Sequence, residues 1–593
     1  MSSTLPNKPT TLFEASWEVC NKVGGIHTVL TTKLSSAQKA FSRYYCVGPW
    51  LAENPAFHEE PIPQDFAAAV EKVASMGVGV HYGHWLTDGE PTTFLIDWQG
   101  LIPQLNGLKQ QYWENFQLDS LHTDFYDIDQ PLMWSSAAGM LVSAFAETQK
   151  EPILFHGHEW LSAGAFLQLH KNEKVRSVFT THATVLGRAL SSDGSDLYGK
   201  LLTINPEEEA RNHGVITKHQ LEKLGATTAT VFTTVSSLTG REAAKLLGKQ
   251  PDFITENGVD PELFPPFDAL CLQHGEMREV LHNFMSSYFF PSYQFDLNKT
   301  SYTFTMGRYE MHNKGYDVYL EALGSLNKEL KDAKDPQTVV GCIFVPGDAV
   351  GIRADVQLYQ TAQHHIRNLL ANYSSLQQRE LYQNLWNQQE DTSSPSQLLP
   401  AHVLDQIKQL LLRLPRYENV PISPFNLRHP ESDSILLAAE KFGLTNSAED
   451  RVKVLFFPAY FDGFDGVFNR NIYDLVSGCD LGVFPSYYEP WGYTPMESLA
   501  LGVPAITSNL AGFGLAVEEH APNQKQWVLE REGISNSEAA GALMLKIVQF
   551  IKSTQRQQLQ KRMEAYQAVE SFSWTILYKK YKEAYYHASQ TPA

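Results

Sequence analysis

The chain has 593 residues, of which 43% are hydrophobic and 19% charged, a composition typical of globular proteins and unlike that of disordered or fibrous chains. Its 47 Lys and Arg stand against 66 Asp and Glu, and the formal net charge of −19 disfavours a nucleic-acid partner, because such binding needs a basic surface. The five cysteines are scattered without CxxC spacing, no run reaches membrane-spanning length and no apolar leader opens the sequence. We therefore expect a cytoplasmic protein with reduced thiols and no membrane partner.

The first half of the chain alternates short β-rich runs with helical patterns, which is typical of an α/β protein with parallel sheets. A predicted strand at 10–16 leads through the glycine turn of NKVGGIHTVL (21–30) into a helix. Further strands are predicted at 151–160, 175–183, 228–237 and 252–260.

The second half repeats this pattern. Strands are predicted at 301–310, 338–347, 451–460, 479–486 and 503–508. An interruption at about 350–450 is rich in Gln, Leu and Asn and has helical periodicity, and we expect this helical insertion to serve packing or subunit contact rather than catalysis. Residues 539–586 also have a helical pattern.

Two successive strand–helix series predict two doubly wound domains that face each other across a cleft, with ligands at the carboxyl ends of the strands. We place the first domain at 1–285 and the second, with its insertion, at 286–560. The helices of 561–593 are expected to pack back toward the first domain.

The segment PSYYEPWGYTPMESLALGVPAI (485–506) joins a strand to a helix. Thr494 is a suitable N-cap, Pro495 suits the first helical position, Glu497 has the spacing of a capping-box acid, and Gly502 ends the helix. Glu497 is therefore either a capping residue or a ligand-binding one.

The start of the same helix has a second interpretation. The free amides of Gly492, Tyr493 and Thr494 form a positive, phosphate-accepting end. Glu489 lies just before them on the loop, where it is either a solvated carboxylate or a group that faces the same ligand.

Arg308 and Lys314 lie in FTMGRYEMHNKGYD, between a predicted strand and the next helix. Such side chains are commonly solvent-facing, but at a carboxyl-end crossover they can neutralise a leaving diphosphate without a metal. HGHEW (156–160) lacks the HExxH pattern, so we predict core histidines there and no metal site.

The first domain offers two matching loops. Lys22 precedes Gly24 and Gly25, whose lack of side chains lets the backbone approach a ligand while Lys22 reaches an anion. In THATVLGR (181–188), His182 and Arg188 follow a strand end. His182 is either a structural histidine or, with Arg188, a contact for a sugar hydroxyl or phosphate.

Together these segments resemble the glycogen synthases of the animal and fungal type, family 3 of the retaining glycosyltransferases. The matching stretches run in the family's order: NKVGGIHTVL, HGHEWLSAG, FTTHATVLGR, VFTTVS, NGV, GRYEMHNKG and PSYYEPWGYTPMESLALGVP. The resemblance implies a GT-B fold of two Rossmann-like domains. It also implies retaining transfer of glucose from UDP-glucose to the non-reducing 4-OH of an α-1,4-glucan, with no cofactor or metal.

The resemblance implies roles for individual residues. The implied catalytic residues are Glu489, His182, Arg308 and Lys314. The implied substrate-binding residues are Lys22, Gly24, Gly25, Glu159, Arg188, Asn257, Tyr488, Trp491, Gly492, Tyr493, Thr494 and Glu497. Within this set a tyrosine, Tyr488 or Tyr493, is expected to flank the uracil, and Glu497 to lie nearer the ribose.

The implied mechanism is a front-face step through an oxocarbenium-like state rather than a double displacement. Arg308 and Lys314 neutralise the diphosphate, which takes the acceptor's proton. Glu489 and His182 position and stabilise the sugar.

The chain departs from the family at its effector helix. The matching stretch, 552–567, keeps Arg556 and Arg562 but has Gln or Glu at other arginine positions, and the partner segment DALCLQH keeps only His274. A weakened glucose-6-phosphate site and simple solvated charges both fit. The family's long Ser/Pro-rich tail does not follow this helix, so we do not expect tail phosphorylation.

Other functions are compatible with the fold. A sister glucosyltransferase could use ADP-glucose or a small acceptor, and an inactive glucan-binding scaffold would need none of the charged residues named above. A phosphorylase is disfavoured by EPWGYTP. The expected partners are glycogen or another α-1,4-glucan, a nucleotide sugar and further copies of this chain, a tetramer being one form.

Overall fold

The computed structural model describes residues 11–51, 56–192, 194, 196–386 and 400–591, with the backbone alone for 372 and 374–386. Within these residues two large sheets and one hairpin account for the strands. No helix in the described ranges combines the length and apolarity that crossing a membrane requires.

The first sheet takes its strands from the first half of the chain. They are β1 (Thr11–Ala15), β2 (Arg43–Pro49), β3 (Phe57–Glu60), β4 (Gly79–Trp85), β5 (Thr92–Asp97), β6 (Ile153–His158), β7 (Val175–Thr181), β8 (Val231–Thr234) and β9 (Phe253–Ile254). Their order is β3-β4-β5-β2-β1-β6-β7-β8-β9. The pairs from β5 to β9 are parallel, and β3 and β4 add an antiparallel edge.

Helices cover both faces of this sheet. They are α1 (Gly25–Ala40), α2 (Gln64–Ala74), α3 (Leu105–Phe116), α4 (Gln130–Thr148), α5 (Ala163–Leu169), α6 (Val185–Ser192), α7 (Leu197–Lys200), α8 (Pro206–Asn212), α9 (Ile216–Thr228) and α10 (Ser237–Leu246). The alternation of a strand decides which face each side chain meets. Phe13 of β1 packs in the core under α4, whereas Leu12 packs in the core under α1.

The second sheet is entirely parallel. Its strands are β10 (Thr300–Met306), β11 (Thr338–Phe344), β14 (Val452–Phe457), β15 (Leu481–Val483), β16 (Ala505–Ser508) and β17 (Val528–Leu529), and β12 (Ala349–Ile352) pairs with β13 (Phe425–Leu427) as a separate hairpin. The helices of this half are α11 (Phe267–Phe289), α12 (Tyr316–Asp332), α13 (Ala354–Trp386), α14 (Ala401–Leu412), α15 (Ser434–Lys441), α16 (Ile472–Ser477), α17 (Tyr493–Ala500), α18 (Gly512–His520), α19 (Asn536–Ile551), α20 (Gln555–Ala568) and α21 (Trp574–Gln590).

The strand order of the second sheet is β14-β11-β10-β15-β16-β17. Numbered by their sequence within the sheet, these strands run 3-2-1-4-5-6, the doubly wound order whose ligand crevice lies where the winding reverses. The reversal falls between β10 and β15, and in the first sheet it falls between β1 and β6. The prediction of two doubly wound α/β domains is confirmed.

The C-terminal helix joins the two halves. α20 packs against α17 of the second domain, whereas α21 packs against α1 and against β6 to β9 of the first sheet. Its inward side chains, Tyr578, Tyr581 and Tyr585, are buried in the core beneath α1. Residue 560 lies inside α20, so the chain crosses back to the first domain after that helix, between 569 and 574.

Candidate active site

The charged wall of the second domain consists of the two loops at the reversal of its winding. The loop 307–315 follows β10 and the loop 484–492 follows β15. Lys314 of the first loop makes an ion pair with Glu489 of the second, and both side chains are mostly buried, at 14% and 17% exposure. Arg308 is 64% exposed and contacts Glu310, with 3.1 Å between Nη2 and Oε1. Arg308, Lys314 and Glu489 therefore lie on adjoining loops at one edge of the sheet.

Backbone contacts hold these two loops together. The Asn313 carbonyl accepts hydrogen bonds from the amides of Tyr487 and Tyr488, at 2.9 and 3.1 Å. Gly315, which precedes α12, has φ +73°, and a Cβ there would meet the Pro485 carbonyl oxygen at 2.1 Å. Only glycine permits both that conformation and that approach, so the position of Lys314 relative to Glu489 depends on it.

The helix after Glu489 begins earlier than the sequence predicts. Its N-cap is Gly492, with φ +106°, and α17 starts at Tyr493. Thr494 is therefore the second helical residue, and the prediction that it caps the helix is wrong, as is the capping-box prediction for Glu497. Gly492 replaces a side-chain cap because it reaches a backbone conformation that Thr does not adopt easily. Gly502, with φ +66°, follows the helix end as predicted.

Glu497 has a different partner. Its Oε1 accepts a hydrogen bond from the Tyr473 hydroxyl at 2.9 Å. Burial raises the pKa of Glu497 to about 7, although the Tyr473 hydrogen bond and the charge of Lys22 act in the opposite direction. Lys22 belongs to the first domain, so its influence on Glu497 indicates that the two predicted loops face each other across the cleft.

The glycine loop of the first domain holds a carboxylate that the sequence interpretation did not include. Glu18 Oε2 accepts hydrogen bonds from the backbone amides of Gly24 and His27, at 2.7 and 2.9 Å. Lys22, Gly24 and Gly25 are exposed, and a Cβ added to Gly25 would meet open space. The start of α1 thus already holds an anionic group, as the field of a helix N-terminus favours.

Glu159 follows β6 at the reversal of the first sheet. Its backbone has φ +64° and ψ 167°, a conformation close to glycine-only. The carboxylate accepts hydrogen bonds from the amides of His182 and Ala183, at 3.1 Å each. Burial raises the pKa of Glu159 to about 7 against the opposing effect of Arg188. A strained residue thus fixes the backbone of His182.

His182 is buried and belongs to a row of polar side chains. Its Nε2 lies 2.9 Å from Nδ1 of His158, whose own Nε2 lies 2.8 Å from Glu14 Oε1. Glu14 in turn makes an ion pair with Lys33, and both are fully buried. We call Glu14, His156, His158 and His182 the polar stripe. The histidines of HGHEW are hydrogen-bonded in the core, as the sequence predicts.

The alternation of side chains in two strands predicts part of the polar stripe, which the sequence analysis did not include. In β1 and β6 every second residue faces the same layer, so Leu12 and Glu14 share a face with Leu154, His156 and His158. Leu12 and Leu154 pack in the core beneath α1. Alternation alone therefore predicts a buried carboxylate beside two buried histidines.

Arg188 lies in the first turn of α6 and remains accessible to solvent. Burial opposes its charge, but Tyr488, Glu159, Glu310 and Glu489 nearby raise the Arg188 pKa above its ordinary value. Because three of those groups, Tyr488, Glu310 and Glu489, belong to the loops of the second domain, Arg188 lies close to those loops across the cleft. Asn257 is buried, and among the described residues its side-chain oxygen has no hydrogen-bond partner.

Three aromatic residues predicted to bind substrate also have structural contacts. Tyr488 is 4% exposed, and its hydroxyl donates to Glu242 of the first domain at 3.2 Å. Trp491 is buried in the core of the second domain against Phe513. Tyr493 packs toward α21, with Tyr581 influencing its pKa. Both tyrosines lie where the domains meet, Tyr488 through Glu242 and Tyr493 through the core beneath α1, and a contact of either ring with the uracil stays a prediction.

A separate cavity of about 570 Å³ lies on the far side of the second domain, lined by residues of α11, α19 and α20. His274 and Arg562 line this cavity. Arg556 is exposed and, in the part of the chain that the structure describes, does not line it. Arg562 is 6% exposed, and its Nη2 has no hydrogen-bond partner among the described residues. Burial and the nearby Arg562 lower the pKa of His274 to about 4.

The fold is similar to that of a solved glycosyltransferase structure. The catalytic domain of starch synthase IV from Arabidopsis thaliana, determined with ADP and acarbose, superimposes with a TM-score of 0.52 at 13% identity and covers 99% of this chain and 100% of its own. Two doubly wound domains with opposed ligand loops are the architecture of a GT-B glycosyltransferase, which confirms the predicted fold class.

Sequence comparisons narrow the class to one family. The family model described as "Glycogen synthase" matches residues 14–591. Liver glycogen [starch] synthase of Rattus norvegicus is 31% identical over 98% of this chain and 83% of its own length. Glycogen [starch] synthase of Neurospora crassa is 30% identical over 97% and 83%. The chain belongs to the glycogen synthase family, as the sequence motifs predict.

Proposed function

We propose that this protein transfers glucose from UDP-glucose to the non-reducing 4-OH of an α-1,4-glucan such as glycogen, with retention of configuration. The observation that carries the proposal is the ion pair between Lys314 and Glu489, which lies where the winding of the second sheet reverses. Arg308 lies on the same loop as Lys314, and Arg188 approaches from the first domain. These cations and one carboxylate fit a sugar diphosphate, which carries negative charge beside a sugar that becomes positive in the transition state.

Donor binding changes the partners of the two cations on the loop 307–315 in this proposal. Lys314 leaves Glu489 for the diphosphate, and Arg308 leaves Glu310. The freed Glu489 then lies beside the sugar, where it stabilises positive charge at the reacting carbon. The Gly492–Thr494 amides support the diphosphate, and Glu497, held by Tyr473, lies near the ribose. The positive charge for the leaving group comes from side chains, without a metal or cofactor.

The chemical step follows from that arrangement. The bond between the anomeric carbon and the diphosphate oxygen breaks, and the acceptor 4-OH attacks from the same face. Its proton passes to the departing diphosphate, so no protein acid is needed for the leaving group. His182 and Arg188 orient the sugar from the first domain, and Glu159 holds the His182 backbone. Lys22 and the Gly24–Gly25 loop close the cleft over the donor.

One assay tests the donor, the acceptor and the stereochemistry. The protein is incubated with glycogen and either UDP-[14C]glucose or ADP-[14C]glucose, with and without EDTA. We expect incorporation from UDP-glucose that EDTA does not reduce and that an α-1,4-specific glucosidase releases. Incorporation from ADP-glucose alone would overturn the donor assignment. No incorporation from either would favour a glucan-binding scaffold.

The cavity on the second domain supports a regulatory site for a small anion. Arg562 lines it with a buried N–H that no described residue accepts, and such a group is costly unless a ligand or water pairs with it. His274 adds no charge at neutral pH because its pKa is about 4. Glucose-6-phosphate is the anion to test. Activation that Arg562→Ala removes and Arg556→Ala keeps would support the site, whereas no activation of the unmodified protein would exclude it.

We also propose a cytoplasmic homo-oligomer, with α13 and α14 of the insertion at the subunit contacts. A tetramer is the form to test, by light scattering of the purified chain. A monomer at micromolar concentration would contradict the oligomer.

A further inference from the structure

We propose that His158 is a positioning residue that fixes the proton of His182 on Nε2, so that His182 offers a bare Nδ1 to a hydroxyl of the bound sugar. The inference rests on the proposed contact between His182 and the donor sugar and extends it inward to the polar stripe. Because a carboxylate accepts hydrogen bonds and donates none, Glu14 determines which ring nitrogens of the neighbouring histidines carry a proton.

Glu14 anchors the stripe as an acceptor. Its Oε1 contacts Lys33, and its Oε2 accepts the Tyr44 hydroxyl at 2.5 Å. The carboxyl is fully buried. Although burial opposes ionisation, Lys33 and the stripe histidines hold the Glu14 pKa well below its ordinary value. Glu14 is therefore a carboxylate, which accepts hydrogen bonds and donates none.

The direction of the remaining hydrogen bonds follows. His158 Nε2 lies 2.8 Å from Glu14 Oε1 and must carry the proton. Burial, with His156 and Lys33 nearby, lowers the pKa of His158 to about 3, so the ring is neutral and has one N–H. His158 Nδ1 is then an acceptor, and His182 Nε2, 2.9 Å away, must donate to it. His182 is also kept neutral by burial, which leaves its Nδ1 unprotonated.

The second stripe histidine, His156, also lies near Glu14, with 3.2 Å between its Nδ1 and Glu14 Oε1, but its other contacts lead away from His182. His156 Nδ1 meets the Tyr585 hydroxyl at 2.8 Å, and its Nε2 meets Thr180 Oγ1 at 2.7 Å. Among the described residues, His158 alone therefore connects Glu14 directly to His182 by hydrogen bonds. A metal between Glu14, His156 and His158 is not needed for their proximity, because Lys33 supplies the positive charge at the same carboxylate.

The consequence for the reaction is specific. A neutral His182 with a bare Nδ1 accepts a hydrogen bond from a sugar hydroxyl and cannot act as a proton donor from that atom. The other tautomer would place an N–H against the hydroxyl, which would then have to accept the hydrogen bond instead of donating it, so the orientation of the hydroxyl would change. The effect is expected mainly in kcat, since the orientation of the sugar matters most at the transition state.

Two variants of His158 separate this role from packing. The amide of Gln reaches the place of Nε2 and keeps the donor to Glu14, but it leaves no acceptor for His182. The amide of Asn reaches the place of Nδ1 and keeps that acceptor, but it loses the donor to Glu14. Each variant loses one buried hydrogen bond, so the two should fall in stability by similar amounts.

The measurements are kcat and KM with UDP-glucose and glycogen, and the 15N shifts of histidine-labelled protein. We expect His158→Gln to lower kcat about 10- to 100-fold below His158→Asn, the effect of one misplaced hydrogen bond. In the unmodified protein and in His158→Asn, the His182 signal, assigned by its loss in His182→Ala, should show the proton on Nε2. In His158→Gln it should move to Nδ1 or exchange between the two.

Equal kcat values for the two variants, or a proton on Nδ1 of His182 in the unmodified protein, would overturn the inference. The tautomer in the unmodified protein decides the matter even if both variants fail to fold. If His182→Ala keeps full activity, the proposed sugar contact fails instead, and the measured tautomer still reports on His158 alone.

Discussion

The two walls of the cleft are built on different physical principles. The first domain holds the polar stripe, in which Glu14 is fully buried and makes an ion pair with the equally buried Lys33 of α1. The second domain places Arg308 and Lys314 on a loop, where Arg308 is 64% exposed. Burial fixes the orientation of a polar side chain but makes any change in its charge costly. A cation on a loop, by contrast, can exchange one partner for another. We infer that the first wall orients the sugar and the second responds to the diphosphate.

The largest expected effect is on the stability of the first wall. Glu14→Gln leaves Lys33 buried without a counter-charge, and we expect a loss of about 3–5 kcal/mol in the free energy of unfolding. Urea unfolding of the purified variant measures it. Glu147→Gln is the matched control, because its pair with Lys72 is about half exposed and should contribute less than about 1 kcal/mol. Similar losses of unfolding free energy in Glu14→Gln and Glu147→Gln would contradict the expected difference between a buried and an exposed ion pair.

The second effect is on turnover at the other wall. Arg308→Ala removes a cation from the diphosphate, and we expect kcat to fall by about 10²–10³-fold, as for loss of one group that stabilises developing charge. The unfolding midpoint should stay unchanged because Arg308 is mostly exposed. Arg428→Ala removes another exposed arginine that is paired with an acid, Asp348, and should keep full activity. Unchanged kinetics of Arg308→Ala would remove that residue from the site.

A smaller effect is expected where the walls meet. Tyr488 and Tyr198 both donate to Glu242, at 3.2 and 2.9 Å, but only Tyr488 comes from the second domain. Each change to Phe should cost about 0.5–1.5 kcal/mol of stability. Tyr488→Phe should also change KM for the donor, because the hydroxyl links the Glu489 loop to the first domain. A change in KM for Tyr198→Phe of the same size would show that the link between domains is not the cause.

The smallest effect concerns pH. Burial raises the folded-state pKa of Glu497 from 4.5 to about 7, so the stability that its protonated form contributes is full below the unfolded-state value and is lost as pH rises to about 7. As pH rises from 5 to 7.5, the melting temperature of Glu497→Gln should therefore increase relative to that of the unmodified protein. Glu538→Gln serves as the control, because the Glu538 pKa is lowered by its Ser535 hydrogen bonds and lies below this window. A constant difference between Glu497→Gln and the unmodified protein would contradict the shift.

The sequence predicted the parts of the molecule that local patterns determine. The β-rich runs at 301–310 and 479–486 coincide with β10, which begins one residue earlier, and with β15, and the glycine and charged motifs after them are the loops at the strand reversal. Gly502 was identified as a helix end because φ > 0 is a local property. Strands β2 to β5, the hairpin of β12 and β13, and the edge strand β17 have no counterpart among the predicted strands.

Errors arose where a side chain's role depends on what packs against it. Thr494 and Glu497 have the spacing of a cap, but the observed N-cap, Gly492, lies two residues before Thr494. Tyr488 and Trp491 lie within the recognised motif, yet the first bonds to Glu242 and the second packs on Phe513. Motif membership does not distinguish a residue that contacts a ligand from one that supports the loop.

By itself the sequence determined the two doubly wound domains, the family and the loops that carry the charges, because alternation, glycine positions and motif order are properties of the chain. The tertiary structure decided which charges are buried and which remain free to change partners. Glu14, Lys33 and His182 lie far apart along the chain and form one network only when β1, α1, β6 and the residues after β7 assemble. The pKa values of Glu14 and His182 depend on burial and neighbouring charges in that assembly, which no local pattern encodes.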